Sequence, residues 1–365
     1  MKSKMIGALM ICATTGLLAV QPQPAPPGSL LVLAKTDQTL SVVDPATLKV
    51  LGRVPSGPDP HEVVVSSDGR VAYISNYNGG VNLITVIDLV AMKPLPPIDL
   101  GPLRAPHGLT FTGGKLWFTA EAAKAIGSYD PATSKVDWIL GTGQNRTHMI
   151  FVSSDLSRMV TSNVSSATMT IIEKTAGGGR GGRGGPPPGP PDRGGAPPAG
   201  IPGRGPGPGG RGSPQMDWNE TVVPVGRGAE GFDVSPDGTQ IWAANAQDGT
   251  VSIIDVASKK VTDTLAANVT GANRLKFTPD GKLVFVSTLG GPELAIIDAA
   301  TKPGVKRLKI GRGAAGIEMQ PDGARAYVAC TPDDNVAVID LKTLEVTARI
   351  EAGRQPDGLA WTTRR

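Results

Sequence analysis

The sequence is poor in histidine, cysteine and aromatic residues. Its 365 residues include three histidines, two cysteines and 4% aromatic side chains. Cys12 lies in an N-terminal apolar run, so removal of that run would leave Cys330 alone and exclude an intramolecular disulfide. No phosphate-cradling loop, nucleophile elbow, haem-attachment cysteine pair or zinc-finger spacing occurs. Stability must therefore come from packing, which a chain of this length with 39% hydrophobic residues can supply.

Long apolar runs are confined to the N-terminus. Lys2 and Lys4 precede an apolar stretch that ends at Val20 and is followed by proline-rich sequence. This order predicts a secretory signal peptide over residues 1–20 and a linker over residues 21–28. At roughly 16 residues the run is short for a membrane span. We therefore expect a periplasmic or secreted protein with no transmembrane segment in the mature chain.

The chain does contain a repeat of roughly 42 residues. In one copy, residues 226–268, four apolar-alternating runs cover residues 231–234, 240–244, 250–255 and 260–265. A tight Ser-Pro-Asp-Gly turn at residues 235–238 separates the first two runs. One four-stranded meander cannot bury both of its faces, so it needs neighbours of its own kind. Such a repeat is typical of a β-propeller.

The number of copies predicts how the ring closes. Complete units begin near His61, His107, His148, Glu230, Asn273 and Ala315, and a seventh begins at Asp357 but ends after one strand. Apolar runs at residues 30–34, 40–44 and 50–54 supply the missing three strands. We therefore predict an all-β fold over residues 29–365. It is a seven-bladed β-propeller of four-stranded antiparallel blades, closed by N- and C-terminal strands in one blade.

The repeats resemble those of YVTN-type β-propellers, the YncE-like group. The resemblance lies in the Pro-Asp-Gly turn, the Val-x-Val-Ile-Asp strand and the intervening strand, which reads AYISN at 72–76, IWAAN at 241–245 and AYVAC at 326–330. It covers residues 29–361 and implies the propeller fold and a binding function. Some YncE-like propellers are associated with DNA binding. Similar seven-bladed propellers include lactonases that use His, Glu and Arg at the channel mouth.

One segment interrupts the repeat. Residues 177–212 are almost wholly Gly, Pro, Ala and Arg, and they fall between the third and fourth strands of the third blade. We predict a disordered insertion over residues 176–214, because such a composition cannot repay the entropy of ordering. Its five arginines against one aspartate would allow nucleic acid to bind. A solvated, tolerated insertion is the simpler alternative.

The three histidines occupy the same repeat position in consecutive blades. His61, His107 and His148 stand at the start of the innermost strand, where Glu230, Asn273, Ala315 and Asp357 stand in the other blades. In a propeller this position faces the mouth of the central channel. Imidazoles and carboxylates meeting there suit a divalent metal such as Zn²⁺, or acid–base work; no other cofactor is indicated. Alternatively, the histidines only cap backbone groups in blade-to-blade turns.

Two further sets of polar residues accompany the histidines. We predict a second ring at the ends of the neighbouring strands, with Glu121 beside His107 in one sheet, formed by Asn76, Glu121, Asn163, Asn245, Thr288 and Cys330. Arginines precede the histidine position by two or three residues, at Arg104, Arg146, Arg227, Arg312 and Arg354. Arginines around a funnel favour an anionic ligand. Alternatively, they are solvated loop residues, paired with Asp59 or Asp357.

Two functions remain open at this stage. The first is an exported binding module, expected to be a monomer, that holds a small anionic ligand, a metal or a protein partner at the channel mouth. The second is a lactonase-type hydrolase, implied by the resemblance, in which His107 or His148 acts as base and Glu121 or Glu230 orients water. In that reading the arginines hold the acid group of the substrate. The regular YVTN-type repeats favour binding.

Overall fold

The computed structural model describes residues 28–77, 81–176, 216–302 and 305–363. The predicted signal peptide, the linker up to residue 27 and residues 177–215 of the insertion segment lie outside these ranges. Within them the chain forms seven four-stranded antiparallel sheets, which confirms the predicted seven-bladed propeller. No helix in the described ranges is both long and apolar enough to cross a bilayer.

The strands follow the chain from blade to blade. The first three are β1 (Ser29–Ala34), β2 (Thr39–Val43) and β3 (Val50–Pro55). Blades 1 to 3 contain β4 (Pro60–Val65), β5 (Val71–Asn76), β6 (Leu83–Asp88), β7 (Lys93–Asp99), β8 (Pro106–Thr112), β9 (Lys115–Ala120), β10 (Ala125–Asp130), β11 (Lys135–Gly141), β12 (Thr147–Val152), β13 (Arg158–Asn163), β14 (Thr168–Ala176) and β15 (Met216–Pro224).

Blades 4 to 6 contain β16 (Ala229–Val234), β17 (Gln240–Asn245), β18 (Thr250–Asp255), β19 (Lys260–Leu265), β20 (Ala272–Phe277), β21 (Leu283–Thr288), β22 (Glu293–Asp298), β23 (Lys306–Lys309), β24 (Ala314–Met319), β25 (Arg325–Cys330), β26 (Asn335–Asp340) and β27 (Glu345–Ile350). The last strand is β28 (Pro356–Thr362). Short 3-10 turns follow three of the second strands, at Glu121–Ala123, Val164–Ser166 and Thr331–Asp333.

Both ends of the described chain build blade 7. Strand β28 is its innermost strand and pairs antiparallel with β1, with Leu30 opposite Trp361 and Val32 opposite Leu359. Each innermost strand contacts the innermost strands of its two neighbours, from β4 through β8, β12, β16, β20 and β24 to β28 and back to β4. The ring is therefore closed as predicted, which removes the exposed sheet edges of an open array.

The hairpins follow from the turn residues that the sequence repeats. In blade 4, Asp237 Oδ1 accepts a hydrogen bond from the backbone N–H of Thr239 at 3.0 Å. Gly238 adopts φ +71°, a left-handed conformation that costs glycine little. The aspartates that end the third strands also serve turns, since Asp298 Oδ1 accepts from the N–H groups of Ala300 and Thr301. These hydrogen bonds indicate that the aspartates have a structural role in the turns.

The hydrophobic core lies between neighbouring blades. Trp242 of blade 4 packs edge-to-face on Phe277 of blade 5, with ring centroids 5.6 Å apart. Tyr73 of blade 1 stacks on Phe111 of blade 2 at 5.5 Å. Trp242 is fully buried. Aromatic pairs of this kind add about 0.5–1.5 kcal/mol beyond area burial, so they help to hold each blade against the next.

The third residue of the innermost strand is glycine in four of the seven blades and a large side chain in the other three. The order from blade 1 to blade 7 is Glu62, Gly108, Met149, Gly231, Arg274, Gly316 and Gly358. A Cβ on Gly108 would meet the backbone of Met149, and one on Gly231 would meet the backbone of Arg274. The glycines therefore let neighbouring strands approach closely, while the large residues fill the axis.

Candidate functional site

The closed ring brings the three imidazoles to one opening. His61, His107 and His148 lie at the second position of strands β4, β8 and β12. The ring centroids of His61 and His107 are 5.4 Å apart, and those of His107 and His148 are 3.7 Å apart. Tyr77, which follows β5, packs edge-on against His107 at 4.8 Å. Residues 87 positions apart in the chain therefore share one site, as the repeat register predicts.

His148 lies within a buried charged cluster. Its Nδ1 contacts Glu121 closely, and its Nε2 lies 2.9 Å from Glu230 Oε1, an ion pair rather than a well-directed hydrogen bond. Arg146 places a guanidinium nitrogen 3.3 Å from Glu230, and Tyr77 donates its hydroxyl to Glu121 at 2.5 Å. Burial disfavours the charged imidazole, but the two carboxylates outweigh burial and raise the pKa of His148. The two carboxylates therefore favour the imidazolium form of His148.

The carboxylate of Glu230 is correspondingly held in its charged form. Burial by itself would raise its pKa, but the ion pair with His148 and the charge of Arg146 lower it to about 2. The pKa of Tyr77 moves the other way, to about 12, through burial and its hydrogen bond to Glu121. The cluster is thus ionic at neutral pH, with a neutral phenol at its edge.

His107 is buried beside this cluster but remains outside its hydrogen bonds. The residue is 2% exposed, and its Nδ1 has no hydrogen-bond partner among the described residues. Burial, reinforced by the positive charge of His148, lowers the pKa of His107 well below its usual range. A neutral imidazole with an unsatisfied ring nitrogen therefore lies at the centre of the opening.

His61 belongs to a second charged cluster on the other side. Lys35, which follows β1, places its Nζ 2.9 Å from His61 Nε2. The same ammonium lies 3.4 Å from Asp59 and 3.3 Å from Asp357. The mouth is therefore flanked by two comparable clusters. Each contains one histidine, two carboxylates and one basic side chain, which is Lys35 in this cluster and Arg146 in the other. Lys35 was not among the residues that the sequence singled out.

Glu121 differs from its predicted position. The residue opposite Pro106 in the sheet is Ala120, which is the equivalent of Asn76, so Glu121 lies one residue beyond the end of β9. It begins a short 3-10 turn, and its carboxylate reaches His148 of the next blade. The prediction that Glu121 pairs with His107 within one sheet is wrong, because a turn residue is not bound by strand alternation.

The three asparagines of the predicted second ring lie inside the blades. Asn76, Asn163 and Asn245 are at most 2% exposed. Asn245 donates to Thr250 and Ser252 of the adjacent strand, and Asn163 donates to the equivalent threonines of its own blade. The structure therefore does not bring these amides to the opening. They tie the second strand to the third. The other two ring members, Thr288 and Cys330, are also buried.

Four of the five predicted arginines do not enter the site. Arg227, Arg312 and Arg354 each pair through Nε with an aspartate, and their side chains remain 64–73% exposed; the partners are Asp248, Asp333 and Asp37. The partners are thus not Asp59 or Asp357. Arg104 is exposed and forms no ion pair within the described part of the chain. Arg146 alone of the five arginines reaches the histidines.

The geometry does not favour a metal. No group of three or more His, Cys, Asp and Glu side chains in the described ranges is arranged to hold a metal ion. Both nitrogens of His148 face carboxylates, and the ring of His107 packs against that of His148 at an interplanar angle of 33°. Imidazoles that ligate one metal must aim nitrogens at a common point. The interpretation of His61, His107 and His148 as metal ligands therefore finds no support.

The deeper residues of the innermost strands were missed. Glu62 of β4 contacts Arg274 of β20 in an ion pair between blades 1 and 5, with the arginine side chain 7% exposed. These blades lie on nearly opposite sides of the ring, so the pair spans the channel just inside the mouth. Both residues follow directly on ring positions, next to His61 and Asn273. A charged residue beside a ring position was the available signal.

Comparison with solved structures finds proteins of similar fold. No family model matches the sequence, and no curated protein matches it. A proposed 6-phosphogluconolactonase from Bacteroides fragilis superposes with a TM-score of 0.68 at 14% identity, covering 93% of this chain and 100% of that one. A functionally unknown protein from Desulfotomaculum acetoxidans gives 0.66 at 12%, covering 92% and 98%. The likeness shows the fold alone.

One solved relative of the fold carries a small molecule. The dihydro-haem d1 dehydrogenase NirN, solved in complex with DHE, superposes with a TM-score of 0.61 at 17% identity, covering 94% of this chain and 77% of that one. The YVTN-type resemblance of the repeats remains a prediction, since no family model matches.

Proposed function

We propose that the protein is an exported ligand-binding propeller whose site is the histidine-lined mouth of the central channel. The observation that carries this proposal is the ring of His107, buried and neutral, with an unpartnered Nδ1 between two charged clusters. A buried polar atom without a partner costs about 1–3 kcal/mol. A ligand at the mouth that reached this atom would supply the missing partner.

The charges at the mouth define the class of ligand. The carboxylates Glu121, Glu230, Asp59 and Asp357 face three cations, namely Arg146, Lys35 and the imidazolium of His148. A strongly anionic ligand would find these cations already paired. A small hydroxy acid fits better, because its hydroxyls can donate to the carboxylates and to His107. Its one acid group can then join Arg146, whose side chain is 38% exposed.

The same site suits a lactonase-type hydrolase as a second candidate. The neutral form of His107 can accept a proton at working pH, as a general base must, but the low pKa of the ring makes it a weak base. His148 suits the role of base less well, because two carboxylates favour its protonated form. Likeness to the proposed 6-phosphogluconolactonase supports the idea only at the level of fold. Binding remains the primary proposal, because binding does not require a strong base.

We do not extend the proposal to nucleic acid at this face. Three of the arginines that would form a basic rim are each paired with an aspartate. We propose that residues 1–20 direct export and that the arginine-glycine segment is a tolerated insertion between β14 and β15. Loss of residues 177–215 is then expected to leave ligand binding at the mouth unchanged.

Substituting Arg146 tests the site directly. We expect Arg146→Gln to weaken binding of gluconate by about 10- to 100-fold, which corresponds to losing one charge-assisted hydrogen bond of about 1.5–3 kcal/mol. Isothermal titration calorimetry measures this effect. Arg227→Gln is the matched control, because Arg227 occupies the equivalent loop but pairs with Asp248 at the surface.

The control variant is expected to bind gluconate within twofold of the unsubstituted protein. Equal losses in both variants would refute the assignment of the mouth. Absence of binding for gluconate and other small hydroxy acids at millimolar concentration would refute the ligand class. Hydrolysis of gluconolactone that disappears in His107→Asn would instead move the assignment to the hydrolase.

A further inference from the structure

The channel contains a second compartment below the mouth. A cavity of about 330 Å³ is lined by residues from all seven innermost strands. Glu62 and Arg274 contribute to its lining, whereas none of the three histidines does. The ion pair between Glu62 and Arg274 therefore separates the cavity from the mouth. Its volume is at the small end of the range for small-molecule sites.

Three charged side chains line one side of this cavity. Asp233, Lys276 and Glu318 are the fifth residues of β16, β20 and β24, in three consecutive blades. Lys276 Nζ and the carboxyl of Glu318 form no hydrogen bond or ion pair with any described residue. Asp233 accepts one hydrogen bond from the backbone N–H of Phe277 and one from that of Val234. Asp233, Lys276 and Glu318 therefore interact electrostatically, without a direct hydrogen bond or ion pair between their side chains.

The charge states of these groups differ in their pH dependence. The carboxylate of Asp233, acting against burial, raises the pKa of Lys276, so this side chain remains a cation. Burial raises the pKa of Glu318 to about 7, with the charge of Lys276 opposing and that of Asp233 reinforcing the shift. The pair of Glu62 and Arg274 is the remaining charged group in the lining. Glu318 therefore ionises near neutral pH.

The other side of the cavity is mainly apolar, with Glu62 and Thr110 as its polar residues. Blades 7, 1, 2 and 3 contribute side chains that include Trp361, Val65, Phe111 and Phe151. These blades are contiguous around the ring. Blades 4 to 6 are also contiguous, and they carry the other charged lining residues, namely Asp233, Arg274, Lys276 and Glu318. A ligand in this space would therefore meet charged groups on one side and a hydrophobic wall on the other.

We propose that this cavity binds a small zwitterion with an apolar side group, of the size and kind of an α-amino acid. Its carboxylate pairs with Lys276, and its ammonium pairs with Asp233 and Glu318. The apolar group packs against the wall formed by Phe111, Phe151 and Trp361. Because Lys276 does not contact either acid, a ligand that carries both charges satisfies the side chains without breaking an existing bond.

Binding of L-leucine to the full chain, followed by calorimetry, tests this site. We expect Lys276→Met to weaken leucine binding at least tenfold. The control Lys282→Met removes a lysine that is 79% exposed and is expected to leave the affinity unchanged. With unsubstituted protein, 4-methylpentanoate lacks the ammonium and isopentylamine lacks the carboxylate, so each is expected to bind at least tenfold more weakly than leucine.

The pH dependence provides a second readout. Glu318 must be ionised to accept the ammonium, so leucine affinity is expected to rise about tenfold between pH 6 and pH 8. Glu318→Gln is expected to remove this dependence. The proposal is overturned if neither leucine nor phenylalanine binds, if Lys276→Met binds normally, or if the one-charge analogues match leucine. Arg146→Gln should leave leucine binding intact, which keeps this test independent of the mouth.

Discussion

Replacing Gly108 by alanine is expected to destabilise the propeller by about 3 kcal/mol or more. The added Cβ would lie 2.5 Å from the carbonyl oxygen of His148, 2.7 Å from Met149 Cα and 2.9 Å from Ile150 N. All three atoms belong to the backbone of the adjacent innermost strand, so no side chain can rotate away. Overpacking of a tight site usually costs about 1–3 kcal/mol, and a backbone clash lies at the upper end. Chemical denaturation measures the change.

Gly141→Ala provides the control for Gly108→Ala. Gly141 ends strand β11, and an added Cβ there would meet nothing within 4 Å. We expect its free energy of unfolding to stay within about 0.5 kcal/mol of the original. If Gly108→Ala were equally harmless, the innermost strands could not be as close as the structure places them, and the glycines at this position would have no packing role.

Arg274→Met is expected to lower the free energy of unfolding by about 3–5 kcal/mol. The guanidinium is buried against Glu62, so its loss leaves a carboxylate without a partner in the interior of the channel. Breaking one member of a buried ion pair costs this much because the remaining charge is neither hydrated nor paired. Urea denaturation followed by tryptophan fluorescence measures the difference, since five tryptophans are distributed along the chain.

The double variant Glu62→Leu/Arg274→Met separates loss of the pair from loss of packing. Replacing both charges by apolar groups of similar size is often neutral or stabilising. We therefore expect the double variant to recover most of the stability that Arg274→Met loses. A double variant as unstable as the single one would show that the arginine acts through volume, and that its charge does not matter.

The blades could be predicted closely because their signals are local. In blade 4 the predicted runs 250–255 and 260–265 coincide with strands β18 and β19, and the run at 240–244 ends one residue before β17 ends at Asn245. Each boundary is set by turn residues, such as Asp237 and Gly238, that act over four positions. Ring closure followed from counting copies. The fold was therefore accessible without any long-range information.

The site was only partly predictable, because its partners come from loops. Strand register placed His61, His107 and His148 together, but Glu121 reaches His148 from a 3-10 turn whose direction the sequence does not specify. The same limit applies to Lys35, which joins His61 from the loop after β1. The spacing also placed five arginines in one set. Three of them pair with an aspartate at the surface and do not reach the histidines.

The inner layers of the channel were missed for a different reason. Glu62, Arg274 and Lys276 follow the ring position in their strands, and the repeat pattern at that single position gives no information about them. Whether such residues meet depends on which blades are opposite each other. That relation follows from seven-fold closure rather than from neighbouring sequence.

Three imidazoles from consecutive blades meet in one site, in which His148 favours the charged form and His107 the neutral form. Nuclear magnetic resonance of the histidine side chains tests this arrangement most directly, because three histidines give three titrations, each assigned by a single His→Asn variant. We predict that His148 titrates above pH 6.5, that His107 titrates well below it, and that Glu121→Gln lowers the pKa of His148. Three superimposed titrations near pH 6.5, unchanged in Glu121→Gln, would contradict the account.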